Sequence, residues 1–161
     1  MAELSPSEQL GELTALAEAV RRSRGAGLRR LSDETWGALS GVLRRQLAPA
    51  QTCLIRQGAR ERRVYLVESG LLRVYRTHGS DRLQLSVIGP GSVVGEGAFF
   101  LPLVRNASVE AIERAVVWEL SLEGFESVAA SQPQHALAFA LYLGAVLSGR
   151  MLKPTGRLSV T

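Results

Sequence analysis

Apolar positions keep a helical spacing at both ends of the chain and a strand-like spacing between them. Leu10, Leu13, Leu16, Ala17 and Val20 fall on one face of a helix, which the pattern places over residues 7–24 with Ser7 as its N-cap. Gly25-Ala26-Gly27 breaks it. A second helix opens near Ser32 on the cap-like run Ser-Asp-Glu-Thr, carries Trp36, Leu39, Val42 and Leu43 on one side, and its region ends at Pro49. From there to about Leu120, short apolar runs are separated by glycine signals at Gly58, Gly70, Gly79, Gly89, Gly91 and Gly95. Turns at that rhythm predict an antiparallel roll, jelly roll or barrel, with strands over 53–57, 64–68, 71–77, 83–88, 107–113 and 115–120. Within 83–87 apolar and polar residues alternate, which predicts one buried and one wet face. Helical spacing returns over 122–130. Pro133 then opens a last helix to about Leu152, apolar almost all round through Leu137, Phe139, Leu141, Tyr142, Leu143, Val146 and Leu147. A helix without a polar face must be covered on both sides, so a homodimer through this helix is expected.

Composition narrows the class. A chain of 161 residues suits one domain, or one domain with a helical appendage; at that length folding buries roughly 70% of the unfolded surface, and no disulfide or metal staple is required. The single cysteine, Cys53, lies in an apolar stretch and reads as a buried structural thiol. Glu3, Glu8 and Glu12 interrupt any signal-peptide pattern, and the apolar run 136–147 is too short to cross a bilayer. The expectation is a soluble cytoplasmic protein without a membrane partner. The net charge of +4 comes from 18 arginines and one lysine against 15 acids. The arginines are spread as short pairs among acids, without a basic helix interleaved with aromatics, so a solvated surface is expected rather than a nucleic-acid interface.

Candidate chemistry concentrates in residues 95–108, Gly-Glu-Gly-Ala-Phe-Phe-Leu-Pro-Leu-Val-Arg-Asn-Ala-Ser. Gly95 and Glu96 open a short helical turn, and Arg105 follows nine residues after the carboxylate. The two charges can face each other across a small loop, with the amides near Gly97 and Ala98 free to point into the gap. Free helix-start amides plus a guanidinium suit a phosphate diester, and the carboxylate can accept from a sugar hydroxyl. The alternative is a structural ion pair that pins the loop. His78 and His135 are far apart and read as surface residues, too few for the histidine-rich metal site of a cupin-type barrel. No Gly-x-Ser-x-Gly elbow or other nucleophile set occurs, so an enzyme is not expected. Trp36, Trp118 and Tyr142 read as core or interface residues, with stacking on a purine as a second role open to Tyr142.

Together these residues resemble the cyclic nucleotide-binding domain family, shared by catabolite-activator-type regulators, cyclic-nucleotide-dependent kinases and gated channels. The resemblance covers residues 31–152. It rests on Gly-x(6)-Tyr-Leu-Val-x-Ser-Gly from Gly58 to Gly70, Ile-Gly-Pro-Gly-Ser-Val-Val-Gly-Glu from Ile88 to Glu96, and Arg105 followed by an Ala-Ser-Val run beyond Asn106. It implies an eight-stranded antiparallel β-roll flanked by helices, with 1–30 as a helical extension, 31–152 as the domain and 153–161 as a tail. Residues 95–108 map onto the family's phosphate-binding cassette. Arg105 then pairs with the exocyclic oxygens of a cyclic phosphate and Glu96 accepts from the ribose 2′-hydroxyl. The amides around Gly97 and Ala98 complete the cradle, and Gly95, Asn106 and Ala107 complete the ligand-binding set. Two positions depart from the family pattern: Gly97 replaces an apolar residue, and Asn106 stands where Ser, Thr or Ala is common.

The function implied is a sensor of a cyclic nucleotide, cAMP first, that signals through its last helix to a protein partner the sequence does not identify. The alternatives are the effector part of an activator-type transcription regulator and a degenerate sensor without nucleotide binding. Residues 153–161 cannot hold a helix-turn-helix, which disfavours direct DNA binding.

Overall fold

A computed structural model describes residues 6–23 and 31–152, and the side chains from residue 11 onward within the first helix. Helices α1 (Pro6–Arg22) and α2 (Asp33–Ser40) precede a run of strands: β1 (Arg44–Ala48), β2 (Cys53–Ile55), β3 (Arg63–Ser69), β4 (Leu72–His78), β5 (Asp81–Ile88) and β6 (Val93–Val94). The short helix α3 (Glu96–Phe100) comes next, then β7 (Ser108–Ala111), β8 (Ala115–Ser121), α4 (Leu122–Ser131) and α5 (Pro133–Met151). The eight strands form two antiparallel four-stranded sheets, ordered β1-β8-β3-β6 and β2-β7-β4-β5. The expected β-roll with flanking helices is the fold found.

Two apolar clusters arise from the two-residue period of the strands. Along β3 and β8, Tyr65, Val67 and Val117 point into the roll, where they meet Ile55, Val74, Val94, Val109 and Ala111. Their neighbours Val64, Leu66, Trp118 and Leu120 point the other way, against Leu13, Leu16, Leu39, Phe99, Phe139 and Leu143 of the helices. One sheet is thereby shared between the roll interior and the helical layer, and Phe99 of α3 lies in that layer together with Phe139 and Leu143 of α5.

Several elements differ from the sequence reading. α1 starts at Pro6, so Ser7 is inside the helix and not its cap; the Gly25-Ala26-Gly27 break lies outside the described residues. α2 has the expected Ser32 cap, whose hydroxyl accepts from the Thr35 amide, but it stops at Ser40. The chain then enters a strand: β1 pairs with β8 and places Arg45 against Glu68 and Gln46 against Glu119. Leu43 and Leu47 prolong the helical spacing of Leu39, which hides that strand. β6 has two residues, too few for any periodicity to reveal.

The alternation in 83–87 does not give a buried face. β5 is an edge strand, the register shifts opposite Leu85, and Leu83 and Val87 are about half exposed. Cys53 is exposed rather than buried. Beside the register shift between Cys53 and Ile55, Ile55 is buried in the roll and Leu54 packs partly against it, while the Cys53 thiol donates to the Ile55 carbonyl at 3.2 Å. Among the described residues no helix is long and apolar enough to cross a membrane.

Candidate functional site

Residues 95–108 leave β6, turn through α3 and return into β7. Gly95 makes the turn possible. Its φ of 93° lies in the left-handed region, and a Cβ there would stand 2.8 Å from the Arg63 carbonyl oxygen and 2.9 Å from Arg105 Nη1. Glu96 opens α3 and is fully buried. Gly97 is half-buried and Ala98 buried; both lie in the first helical turn, where amides have no partner within the helix. At the other end of α3, Arg62 donates from Nε and Nη2 to the Phe99 carbonyl, at 3.1 and 2.7 Å, and from Nη2 to that of Phe100.

Arg105 is drawn inward. Its backbone amide donates to the Ala59 carbonyl and its own carbonyl accepts from the Gly58 amide, so the segment carrying it is pinned to the residues after β2. The residue is 2% exposed, and its guanidinium donates from Nη1 to the Gly95 carbonyl at 2.8 Å and from Nη2 to the Arg63 carbonyl. No carboxylate of a described residue forms an ion pair with it, and Nε is buried without a hydrogen-bond partner. Burial pushes this guanidinium below its ordinary pKa, opposed by Tyr65, Glu61 and Glu96. Asn106 is exposed, with its carbonyl accepting from Arg76 Nε at 3.0 Å, while Ala107 is buried in the roll interior.

Glu96 and Arg105 thus stand at the two ends of one turn without pairing with each other. The partner of Glu96 is Arg150, in the last turn of α5, whose Nη1 bonds Glu96 Oε1 and whose Nη2 bonds the Val93 carbonyl. The second carboxylate oxygen, Oε2, is buried with no partner among the described residues. Two orphaned atoms therefore remain in the cassette: an acceptor on Glu96 and a donor on Arg105.

Sequence reasoning missed Arg150, Arg62 and the Arg63 carbonyl. Arg150 did leave a signal, since it is the one fully charged residue type in the run Pro133–Met151. An arginine isolated in an apolar helix implies a buried acid within its reach. Tyr142 is a core residue and offers no face to a purine. It is 1% exposed, stacks on Phe139 at 5.9 Å between centroids, and burial pushes its hydroxyl up to about 12. Through Phe139, Phe125 and Phe99 the ring contacts run from α5 by way of α4 into α3. His135 Nδ1 meets Thr35 Oγ1 at 3.1 Å, and no group of metal-binding side chains gathers among the described residues.

A β-roll with a glycine-led turn, a buried guanidinium and a long last helix is the architecture of a domain of the cyclic nucleotide-binding kind. The chain belongs to that family: the family model described as "Cyclic nucleotide-binding domain" matches residues 45–132. It is 33% identical over 96 residues to the cyclic AMP receptor protein of Thermus thermophilus, covering 59% of this chain and 44% of that one. A solved cyclic nucleotide-binding domain from Methylobacillus flagellatus superposes with a TM-score of 0.78 at 19% identity, over 88% of this chain and 79% of the other, a likeness of fold. The regulatory domain of Toxoplasma gondii PKA, solved with cAMP, gives a TM-score of 0.63 at 26% identity, over 73% of this chain and 44% of the other. The chain spans less than half the length of the curated relatives it matches.

Proposed function

We propose that this chain is a cyclic-nucleotide sensor that binds cAMP in the cassette 95–108 and reports occupancy through α5. The observation that carries this reading is the pair of orphaned atoms, Arg105 Nε as donor and Glu96 Oε2 as acceptor. A buried donor and acceptor left unpaired each cost about 1–3 kcal/mol. A cyclic nucleotide supplies both missing partners: an exocyclic phosphate oxygen accepts from the guanidinium, and the ribose 2′-hydroxyl donates to the carboxylate. The phosphate also brings the negative charge that Arg105 lacks, and the first-turn amides of α3 face the same end. cAMP is favoured over other cyclic nucleotides by the relatives whose names carry it, a cyclic AMP receptor protein and a regulatory domain solved with cAMP.

Arg150 supplies the physical link to α5. Its guanidinium joins the closing helix to Glu96 and to the Val93 carbonyl just before the cassette. A hydroxyl arriving at Glu96 changes that contact, so ligand affinity and the position of the α5 end are coupled. The exposed Leu137 and Leu141, one turn apart on α5, support a homodimer through this helix. A thermal-shift screen against cyclic mononucleotides tests the function. At a concentration about 100 times Kd, cAMP adds roughly 2.7 kcal/mol of stability and raises the midpoint visibly. A flat response to all of them contradicts the reading and leaves a degenerate sensor.

A further inference from the structure

A cleft on the outer face of the second sheet shares only Ser108 with the segment 95–108. Along β7, Val109 and Ala111 enter the roll interior, so Ser108 and Glu110 point outward. Both are nonetheless buried, as is Tyr75 of β4, which sits opposite Ser108. These three line an open polar cleft of about 520 Å3, with Arg56 and Arg82 on its rim. That volume lies within the range of small-molecule sites, roughly 300–1,000 Å3.

Charge in the cleft is unbalanced. Glu110 lies 3.3 Å from Arg73 Nη2 and 3.8 Å from Arg82 Nη1, and it is the only acid lining the cleft. Arg82 is held in place by stacking on the Tyr75 ring, 4.9 Å from its centroid. Arg56 has no side-chain hydrogen bond or ion pair with a described residue, and Arg73 Nε is buried without a partner. Two guanidinium groups, those of Arg56 and Arg82, thus line the cleft with one carboxylate, which Arg73 pairs from outside the lining. Glu110 is nearer to Arg73 than to Arg82, so its one charge leaves Arg56 and Arg82 uncompensated.

We propose that this cleft is a second binding site, for a small ligand carrying a phosphate monoester or a diphosphate. Guanidinium forks match the oxygen spacing of such a group and bind it through paired charge-assisted hydrogen bonds. The ligand's negative charge, about two for a monoester and more for a diphosphate, offsets the positive charge that Glu110 leaves open. The site is independent of the nucleotide reading, because it opens away from the roll interior that holds Ala107, Val109 and Ala111 and uses neither Glu96 nor Arg105.

The test is a titration of inorganic pyrophosphate into the Arg105→Ala variant, in which the cassette guanidinium cannot supply the binding. Calorimetry is expected to give a sub-millimolar Kd, and amide resonances of Gln57, Thr77 and Ser108 are expected to move. Adding Arg56→Ala and Arg82→Ala weakens binding by about tenfold or more. Arg56→Ala alone, a change on the rim with no described partner to lose, weakens it less and leaves cAMP binding intact in the otherwise wild-type chain. Absence of binding, shifts confined to other amides, undiminished affinity in the triple variant, or equal affinity for citrate would each overturn the proposal.

Discussion

At the scale of single residues, the contact between Arg150 and Glu96 is the ion pair with the most buried carboxylate among the described residues. Glu96 is fully buried and Arg150 covers one of its oxygens. Arg150→Ala leaves that carboxylate without a cation, and breaking a buried pair in this way costs about 3–5 kcal/mol. The double variant Arg150→Ala with Glu96→Gln removes the stranded charge and is expected to recover much of the loss, read from urea unfolding of the four proteins of the cycle. Equal stability of wild type and Arg150→Ala would show that the pair contributes nothing to the fold. Glu96 and Arg105 could be singled out beforehand because their spacing around Gly95 is local in the chain. Arg150 could not be placed, because its partner is 54 residues away and only the packed fold brings α5 against the cassette. The same holds for the Arg63 carbonyl, a backbone acceptor that no side-chain pattern announces.

At the scale of elements, the cassette depends on one backbone conformation. Gly95 holds a positive φ with two groups within 3 Å of where a Cβ would be. Gly95→Ala combines left-handed strain of about 1–2 kcal/mol with displacement of the Arg105 guanidinium. The expected outcome is a lowered unfolding midpoint together with loss of cAMP binding, measured on the same preparation. Unchanged binding would mean that the turn does not position Arg105. The helices and longer strands were legible because their burial keeps a clean period, as in β3 and β8. The elements that were not legible each lack that period. β1 continues from Leu43 with arginines and glutamine that are there for ion pairs and hydrogen bonds across the sheet. β5 keeps an alternating sequence but loses its buried face to an edge position and a register shift. Cys53 was misplaced by the shift beside it in β2.

At the scale of the whole molecule, two layers share one sheet, so the cassette, α4 and α5 are connected through the aromatic contacts from Phe99 to Tyr142. The half-exposed leucines of α5 face outward from this layer. Sedimentation at micromolar concentration is expected to give a dimer mass, and Leu137→Glu with Leu141→Glu a monomer; a wild-type monomer contradicts the role given to this face. The central claim concerns the ligand, and it is tested most directly by isothermal titration of cAMP into the wild-type chain and into Arg105→Ala. The account predicts one-site binding to the wild type and a loss of about 3 kcal/mol or more, over a hundredfold in Kd, in a variant that still unfolds cooperatively. Near-wild-type affinity of Arg105→Ala, or no binding by the wild type, would contradict it.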